Sequence, residues 1–169
     1  MKNTRTLPQE LKTLMLAAPR LTLGVAESLT CGNLQARIGS VSGASEFFHG
    51  GLTAYSLEQK VWHLGVDREH ADAVNCVSAT VAEQMALGAC RLFETELGLA
   101  TTGYAEPNPA QEVGEPFAFW ALAHVRPGKE PVFLSGRVEC VGASRVEAQQ
   151  WVADAALGEL VGYLVKIRR

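Results

Sequence analysis

Two short apolar runs in this chain end in hydroxyl side chains, at the points where a buried strand would leave a sheet. The first run, residues 21–28, is followed directly by "LTCG", and the second is "LGLATTGYA", which begins at Leu97. Short continuous apolar runs beside segments with helical spacing are typical of sheets that helices cover. In such folds ligands bind where the strands end, so these hydroxyl groups are candidates for a binding site.

The rest of the chain predicts alternating helices and strands. Helices, recognised by apolar residues three or four apart, are predicted at residues 8–18, 30–38, 57–64, 79–97 and 145–165. Gly98 is predicted to cap the fourth of them. Strands are predicted at residues 21–28, 49–56, 97–105, 116–125 and 132–140. This order predicts a single α/β domain over residues 1–169, with its core at about residues 21–165 and helices covering a mixed sheet.

Length and charge exclude several classes of function. The 169 residues suffice for one domain with a sizeable core, and the net charge is −3, with no basic run except at the C-terminus. A protein that binds a phosphate backbone normally has a clustered positive face, so we predict no nucleic-acid partner. A small anionic ligand needs only one or two local positive groups, so the composition does not exclude this class of ligand. No run approaches the roughly 18 apolar residues of a membrane span, so no membrane association is predicted.

The N-terminus, cysteines and histidines indicate a cytoplasmic protein without a metal site. No continuous apolar segment follows the basic residues at the N-terminus, so no signal peptide is predicted. The cysteines lie far apart without a C-x-x-C pair, which favours reduced thiols over disulfides or zinc ligands. The histidines lack the paired spacing of metal ligands. We therefore predict a cytoplasmic protein that uses no metal and no cofactor.

The first group of candidate site residues follows the first apolar run. Glu27, Ser28 and Thr30 lie where the strand gives way to a helix, and a helix N-terminus offers free N–H groups suited to phosphate. The alternative is that Ser28 and Thr30 only cap this helix while Glu27 solvates its start. Because serine and threonine are common at helix starts, spacing alone favours the capping role.

The second group is Ser45, Tyr55 and Lys60, within "SGASEFFHGGLTAYSLEQK". A desolvated lysine can accept the proton of a serine hydroxyl and make that serine a nucleophile. A tyrosine can relay the proton or donate to a developing oxyanion. The alternative is a loop serine, a tyrosine that packs its ring, and a solvated lysine, and spacing alone favours that alternative.

The third group is the loop that follows the second apolar run, residues 100–116. A strand followed by a long turn-rich loop is a usual place for binding residues. An exposed loop without a ligand is an equally open interpretation.

Several motifs together resemble one known family, the CinA C-terminal domain family of nicotinamide-mononucleotide amidohydrolases. They are "AESLTCG" at 26–32, "SGAS" at 42–45, "FFHGGLTAYSLEQKVWHLGV" at 47–66, "VSATVAEQMALGA" at 77–89 and "TGYAEPNPA" at 102–110. The motifs agree with the family in order and spacing, and the resemblance covers residues 21–164. It implies a three-layer α/β/α domain, commonly a homodimer.

The resemblance also implies an activity and a set of site residues. Family members hydrolyse the carboxamide of nicotinamide mononucleotide to nicotinate mononucleotide and ammonia, in pyridine nucleotide salvage. By position, Ser45 is the nucleophile, Lys60 its base and Tyr55 an assisting group. The substrate-binding residues implied with them are Ser28, Thr30, Thr102, Gly103 and Arg145.

The sequence departs from the family pattern in its substrate loop. The glycine-rich "GIAGPGGG" is replaced by "GYAEPNPA", where Tyr104 and Glu106 add bulk and negative charge. Glu106 would repel a substrate phosphate if it faced the site. Near the last helix, the family's second arginine falls on Gln149, which removes a phosphate donor. An inactive relative that keeps a small-molecule pocket is therefore the alternative function, and a purely structural role is the third.

Overall fold

A computed structural model describes residues 6–169. Within this range the chain forms six α-helices and five strands, joined by short loops and two 3₁₀ turns at Ala44–Glu46 and Pro109–Gln111. The elements in chain order are α1 (Leu7–Leu16), β1 (Leu23–Glu27), α2 (Asn33–Gly39), β2 (Phe48–Thr53), α3 (Leu57–Leu64), α4 (Arg68–Ala73), α5 (Ala79–Phe93), β3 (Leu97–Tyr104), β4 (Phe117–His124), β5 (Val132–Glu139) and α6 (Arg145–Ile167).

The strands form one mixed sheet in the order β2-β1-β3-β4-β5. β1 pairs in parallel with both β2 and β3, while β3–β4 and β4–β5 are antiparallel. Glu27, the last residue of β1, is opposite Thr53 at the end of β2. The carboxyl ends of the three parallel strands therefore meet at one edge of the sheet, where a ligand site is expected.

Helices cover both faces of the sheet, which confirms the predicted α/β class and the three-layer architecture. α1, α2 and α6 pack on one face, where Val25 joins the large aliphatic cluster. α5 packs on the other face with α3 beside it, and there the neighbouring Ala26 joins a second cluster built mostly of alanine. Successive residues of β1 thus enter opposite layers, as the alternation of side chains in a strand requires.

Small residues allow α5 to lie very close to the sheet. A Cβ atom at Gly98 of β3 would overlap the carbonyl oxygen of Ala86 on α5. A Cβ at Gly88 would likewise overlap the Leu64 carbonyl oxygen, where α5 crosses the end of α3. The alanine-rich layer therefore follows from close backbone packing, which larger side chains would prevent.

The predicted end of the long helix is wrong. α5 stops at Phe93, because Glu94 takes a left-handed conformation with φ 53° and its N–H bonds to the Cys90 carbonyl. Leu97 and Gly98 belong instead to β3, in which Gly98 pairs with Gly24 of β1. Pairing with β1 and burial of the leucine decide this boundary. The short helix α4 was also not predicted.

α6 begins at a capping box, which positions the start of this helix beside the carboxyl edge of the sheet. The Ser144 Oγ accepts the Glu147 N–H, and the Glu147 carboxylate accepts the Ser144 N–H at 2.8 Å. Arg145 is consequently held in the first turn. No helix between residues 6 and 169 has the length and apolar character needed to cross a membrane.

Candidate active site

A cleft of about 560 Å³ opens at the carboxyl edge of the parallel strands. Its wall combines the end of β1, the start of α3, the α4–α5 connection, the loop after β3 and the first turn of α6. The polar side chains that line it belong to Ser28, Tyr55, Lys60, Asp72, Asn75, Cys76, Thr102, Tyr104, Glu106, Asn108 and Arg145.

Lys60 lies at the base of this cleft with only 1% of its surface exposed. Its Nζ donates to the Ser28 Oγ at 3.0 Å and to the carbonyl oxygens of Ala54 at 2.8 Å and Tyr55 at 3.1 Å. Helical side chains lean towards the helix N-terminus, so Lys60, near the start of α3, reaches back to the end of β2. The contact joins a buried amine to a hydroxyl that lines the cleft.

Burial shifts the proton equilibria at this point. It lowers the pKa of Lys60, because a buried ammonium loses its hydration, while the nearby Cys76 thiol opposes the shift. Burial also raises the pKa of Cys76, with the Lys60 charge acting in the opposite direction. At a given pH a larger fraction of Lys60 is therefore neutral than of an exposed lysine, and a neutral amine can accept a hydroxyl proton.

The end of β3 supplies the adjoining wall. The Thr102 hydroxyl donates to the Cys76 carbonyl at 2.7 Å, which ties β3 to the loop before α5. A Cβ on the next residue, Gly103, would overlap the backbone of Phe117 and Ala118 in β4, so only glycine fits there. These contacts hold Thr102 and Gly103 against the cleft.

Three hydrogen bonds join side chains at the rim of the cleft. Arg145 donates through Nη1 to the Glu106 carboxylate and through Nη2 to the Tyr55 hydroxyl, both at 2.6 Å. On the other side, the Asn75 amide donates to the Tyr104 hydroxyl at 3.0 Å. Glu106 and Tyr104, both in the part of the chain that departs from the family pattern, therefore each bond to a residue of another element at the rim.

The N-terminus of α2 is occupied by a side chain of the protein. Glu27 is completely buried, and its carboxylate accepts the N–H groups of Gly32, Leu34 and Gln35 at 2.9–3.1 Å. This arrangement corrects the sequence interpretation, in which Glu27 only solvates the start of the helix and the hydroxyl residues cap it. A carboxylate that satisfies these donors also leaves no free N–H groups there for phosphate.

Most of the predicted site residues meet in the cleft. Those that line it are Ser28, Tyr55, Lys60, Thr102, Gly103 and Arg145. Thr30 does not line it: the side chain is fully buried behind β1 and its hydroxyl bonds to that of Thr101 at 2.8 Å. The prediction that Thr30 caps α2 is wrong, because its hydroxyl is bound to that of Thr101 and Gly32 holds the N-cap position. Substrate binding by Thr30 stays a prediction that its position outside the lining does not support.

The predicted contact of Ser45 with Lys60 is also wrong. Ser45 is exposed in the 3₁₀ turn that precedes β2, whereas Lys60 follows the other end of that strand. A strand of six residues spans roughly 20 Å, far beyond the reach of a hydrogen bond. The serine that contacts Lys60 is Ser28.

Sequence reasoning missed the contribution of the α4–α5 connection. Asp72 at the end of α4 lines the cleft together with Asn75 and Cys76 of the connection, and the last two take left-handed conformations with φ 49° and 62°. The sequence signal that could have indicated this segment was Cys76, which lies two residues before the predicted helix N-cap Ser78. Among residues 6–169, no group of three or more histidine, cysteine or acidic side chains is arranged to hold a metal ion.

Comparisons with known proteins agree with this architecture. The sequence model of the CinA C-terminal domain matches residues 5–164. A CinA-like protein of Flavobacterium psychrophilum is 41% identical over 106 residues, which are 61% of this chain and 25% of that protein. A CinA-like protein of Chlorobium limicola is 34% identical over 156 residues, 90% of this chain and 36% of that protein. The chain thus spans about a quarter to a third of the length of these curated relatives.

A solved structure shares the fold along almost the whole chain. It is that of a competence-damaged protein (CinA) superfamily protein from Klebsiella pneumoniae, with a TM-score of 0.83 and 24% sequence identity. The match covers 95% of this chain and 96% of that one. At this identity the likeness concerns the fold alone.

Proposed function

The chain belongs to the CinA C-terminal domain family, and from this premise we propose that it hydrolyses the carboxamide of a pyridine nucleotide such as nicotinamide mononucleotide. The products are the corresponding acid and ammonia, which would place the reaction in pyridine nucleotide salvage. The observation that carries the proposal is the contact of 3.0 Å between the buried Lys60 amine and the Ser28 hydroxyl in an open cleft.

The proposed chemistry has two steps. Neutral Lys60 takes the Ser28 hydroxyl proton while Oγ bonds to the carboxamide carbon, and the resulting tetrahedral intermediate releases ammonia as Lys60 returns the proton to the leaving nitrogen. Water, deprotonated by Lys60, then attacks the Ser28 ester, and collapse of the second intermediate frees the acid and restores the serine. The lowered pKa of Lys60 supports its role as the base.

Tyr55 is the proposed donor to the oxyanion that forms in both steps. Its hydroxyl accepts a hydrogen bond from Arg145, which leaves the phenolic proton available for donation into the cleft. A donor held in place before the reaction stabilises developing negative charge without reorganisation. Arg145 thus acts as a positioning residue for Tyr55.

The test is ammonia release from nicotinamide mononucleotide by the wild type, Ser28→Ala and Ser45→Ala. We expect Ser28→Ala to lose at least about 10³-fold in kcat, because among residues 6–169 no other hydroxyl bonds to Lys60. Ser45→Ala is the matched control and is expected to stay within about 2-fold of wild type, since its hydroxyl is exposed outside the cleft. Full activity of Ser28→Ala, or loss only in Ser45→Ala, would contradict the proposal.

The second candidate function is a relative that binds a small molecule without hydrolysing it. The ion pair of Arg145 with Glu106 favours this alternative. It engages the one guanidinium among the described residues that line the cleft, so a substrate phosphate has to compete with Glu106 for this cation. A ligand that binds only the folded state raises the melting temperature. Thermal stabilisation by nicotinamide mononucleotide without ammonia release would support binding alone.

A further inference from the structure

The wall of the cleft holds as many acidic side chains as basic ones. Among the described residues of its wall, Lys60 and Arg145 are basic, and Asp72 and Glu106 are acidic. A phosphomonoester carries about −1.5 to −2 charges at neutral pH, so it would enter a site without surplus positive charge. The same site would place two carboxylates near a bound anion.

The arginine at the rim is already paired within the chain. Nη1 and Nη2 of Arg145 are bonded to Glu106 and Tyr55, both at 2.6 Å. Bidentate recognition of phosphate uses two parallel N–H donors of one guanidinium. A phosphate at this position would share the Arg145 guanidinium with the Glu106 carboxylate, whose charge repels it.

Carboxylates of the protein also accept backbone N–H groups at the start of α2 and in the loop before α6. The Glu27 carboxylate accepts the N–H groups at the start of α2. In the loop before α6, Glu115 accepts the Gly142 N–H at 2.9 Å, and Glu147 accepts the Ser144 N–H at 2.8 Å. Backbone N–H groups at helix starts are the usual phosphate ligands. At the start of α2, and at Gly142 and Ser144 before α6, the protein's own carboxylates hold these positions.

We propose that the cleft binds phosphate-free N-ribosyl amides, of the nucleoside type, more tightly than the corresponding nucleotides, and that Glu106 is the residue that determines this preference. The inference rests on the proposed amide hydrolysis at Ser28 and Lys60 and assigns the substrate class of that site. A pyridinium nucleoside carries one positive charge and free ribose hydroxyls, and carboxylates such as Glu106 and Asp72 accept hydrogen bonds from hydroxyl groups. The corresponding mononucleotide has a net negative charge at neutral pH and meets the same carboxylates with repulsion.

The test compares two probes, nicotinamide riboside and nicotinamide mononucleotide, by calorimetric titration. The Ser28→Ala background prevents turnover during the titration. We expect the riboside to bind at least about 10-fold more tightly, and the added substitution Glu106→Gln to tighten mononucleotide binding by about 10-fold while riboside affinity changes less than about 3-fold.

Glu112 provides a matched control, because it is an exposed carboxylate of the same loop outside the lining of the cleft. Glu112→Gln in the same background is expected to change either affinity by less than about 2-fold. Tighter binding of the mononucleotide than of the riboside, no effect of Glu106→Gln, or absence of binding by both probes would overturn the inference.

Ammonia release by the wild type keeps this inference separate from the proposed function. Release from neither probe would refute the hydrolysis, while the ratio of the two dissociation constants would still decide the specificity. Release from the mononucleotide with a higher kcat/KM than from the riboside would overturn the inference and leave the hydrolysis standing.

Discussion

Replacing Lys60 with methionine tests the central electrostatic feature of the cleft without relying on any substrate. Methionine has a similar length but no amine, so Lys60→Met removes the buried ionisable group and its bonds to Ser28, Ala54 and Tyr55. The quantity of interest is how the free energy of unfolding changes with pH in the wild type and in the variant.

The expected sign follows from the lowered pKa of Lys60 in the folded protein. Between that folded value and the ordinary value of 10.5, the unfolded chain binds a proton that the folded chain does not. The free energy of unfolding therefore rises with pH in this window, by at most about 1.4 kcal/mol per pH unit for one proton. Below the window both states are protonated, and the cost of the buried charge is fully present.

Other groups titrate in the same range with the opposite sign. Burial raises the pKa of Cys76, Cys90 and Cys140, so the stability that these neutral thiols contribute is lost as pH rises through their folded values. The pKa of Cys90 reaches about 12. Cys90 and Cys140 are present in both proteins and cancel in the difference between wild type and Lys60→Met. The pKa of Cys76 also depends on the Lys60 charge, so the difference reports Lys60 together with Cys76; loss of the Lys60 charge raises the pKa of Cys76 further, which changes the difference in the same direction.

The assay is urea unfolding from about pH 7 to pH 10 at constant ionic strength. The wild type is expected to gain stability relative to Lys60→Met as pH rises. Lys129→Met is the matched control, because Lys129 is an exposed lysine of the β4–β5 turn. A difference between wild type and Lys60→Met that stays constant with pH would refute the reasoning and remove the basis for Lys60 as a general base.

Two further predictions concern stability alone. Burial and the neighbouring Arg126 lower the pKa of His124, so the stability it contributes is present above its ordinary value of 6.5 and is lost as pH falls through the folded value. Urea unfolding at about pH 7.5 and pH 5 should show that His124→Asn loses less stability than wild type, and equal losses would contradict this. Gly98→Ala should destabilise the fold by about 3 kcal/mol, because its Cβ would overlap the Ala86 carbonyl. Gly158→Ala, with open space around its Cβ, is the control in the same urea assay, and a comparably small effect of both changes would contradict the close packing.

Local signals predicted most of the secondary structure. α3 occupies residues 57–64 as expected, because Ser56 caps its start and Gly65 takes the left-handed conformation, φ 66°, that ends it. The end of α5 was missed because the apolar pattern continues through residue 97. Only pairing with β1 shows that this last part belongs to a strand. Helix boundaries that are set by residues within one turn could therefore be predicted from the sequence. A boundary that is set by pairing with another strand could not.

The site was predicted in part for a related reason. Hydroxyls at the ends of two apolar runs correctly indicated the edge where the cleft lies, because parallel strands end together. The choice of Ser45 as the partner of Lys60 failed, although the strand predicted between them already separated the two residues by its full length. The order of residues along the chain does not show which serine the fold brings into contact with Lys60.

The sequence by itself determined the α/β class, the two hydroxyl-bearing strand ends and the family, because periodicity, caps and ordered motifs are local properties of the chain. The tertiary structure decided the chemistry. It buried Lys60 against Ser28, placed the Glu27 carboxylate on the amides of α2 and paired Arg145 with Glu106. These contacts join residues from different elements, and a buried charge takes its properties from whatever the fold brings within about 3 Å of it.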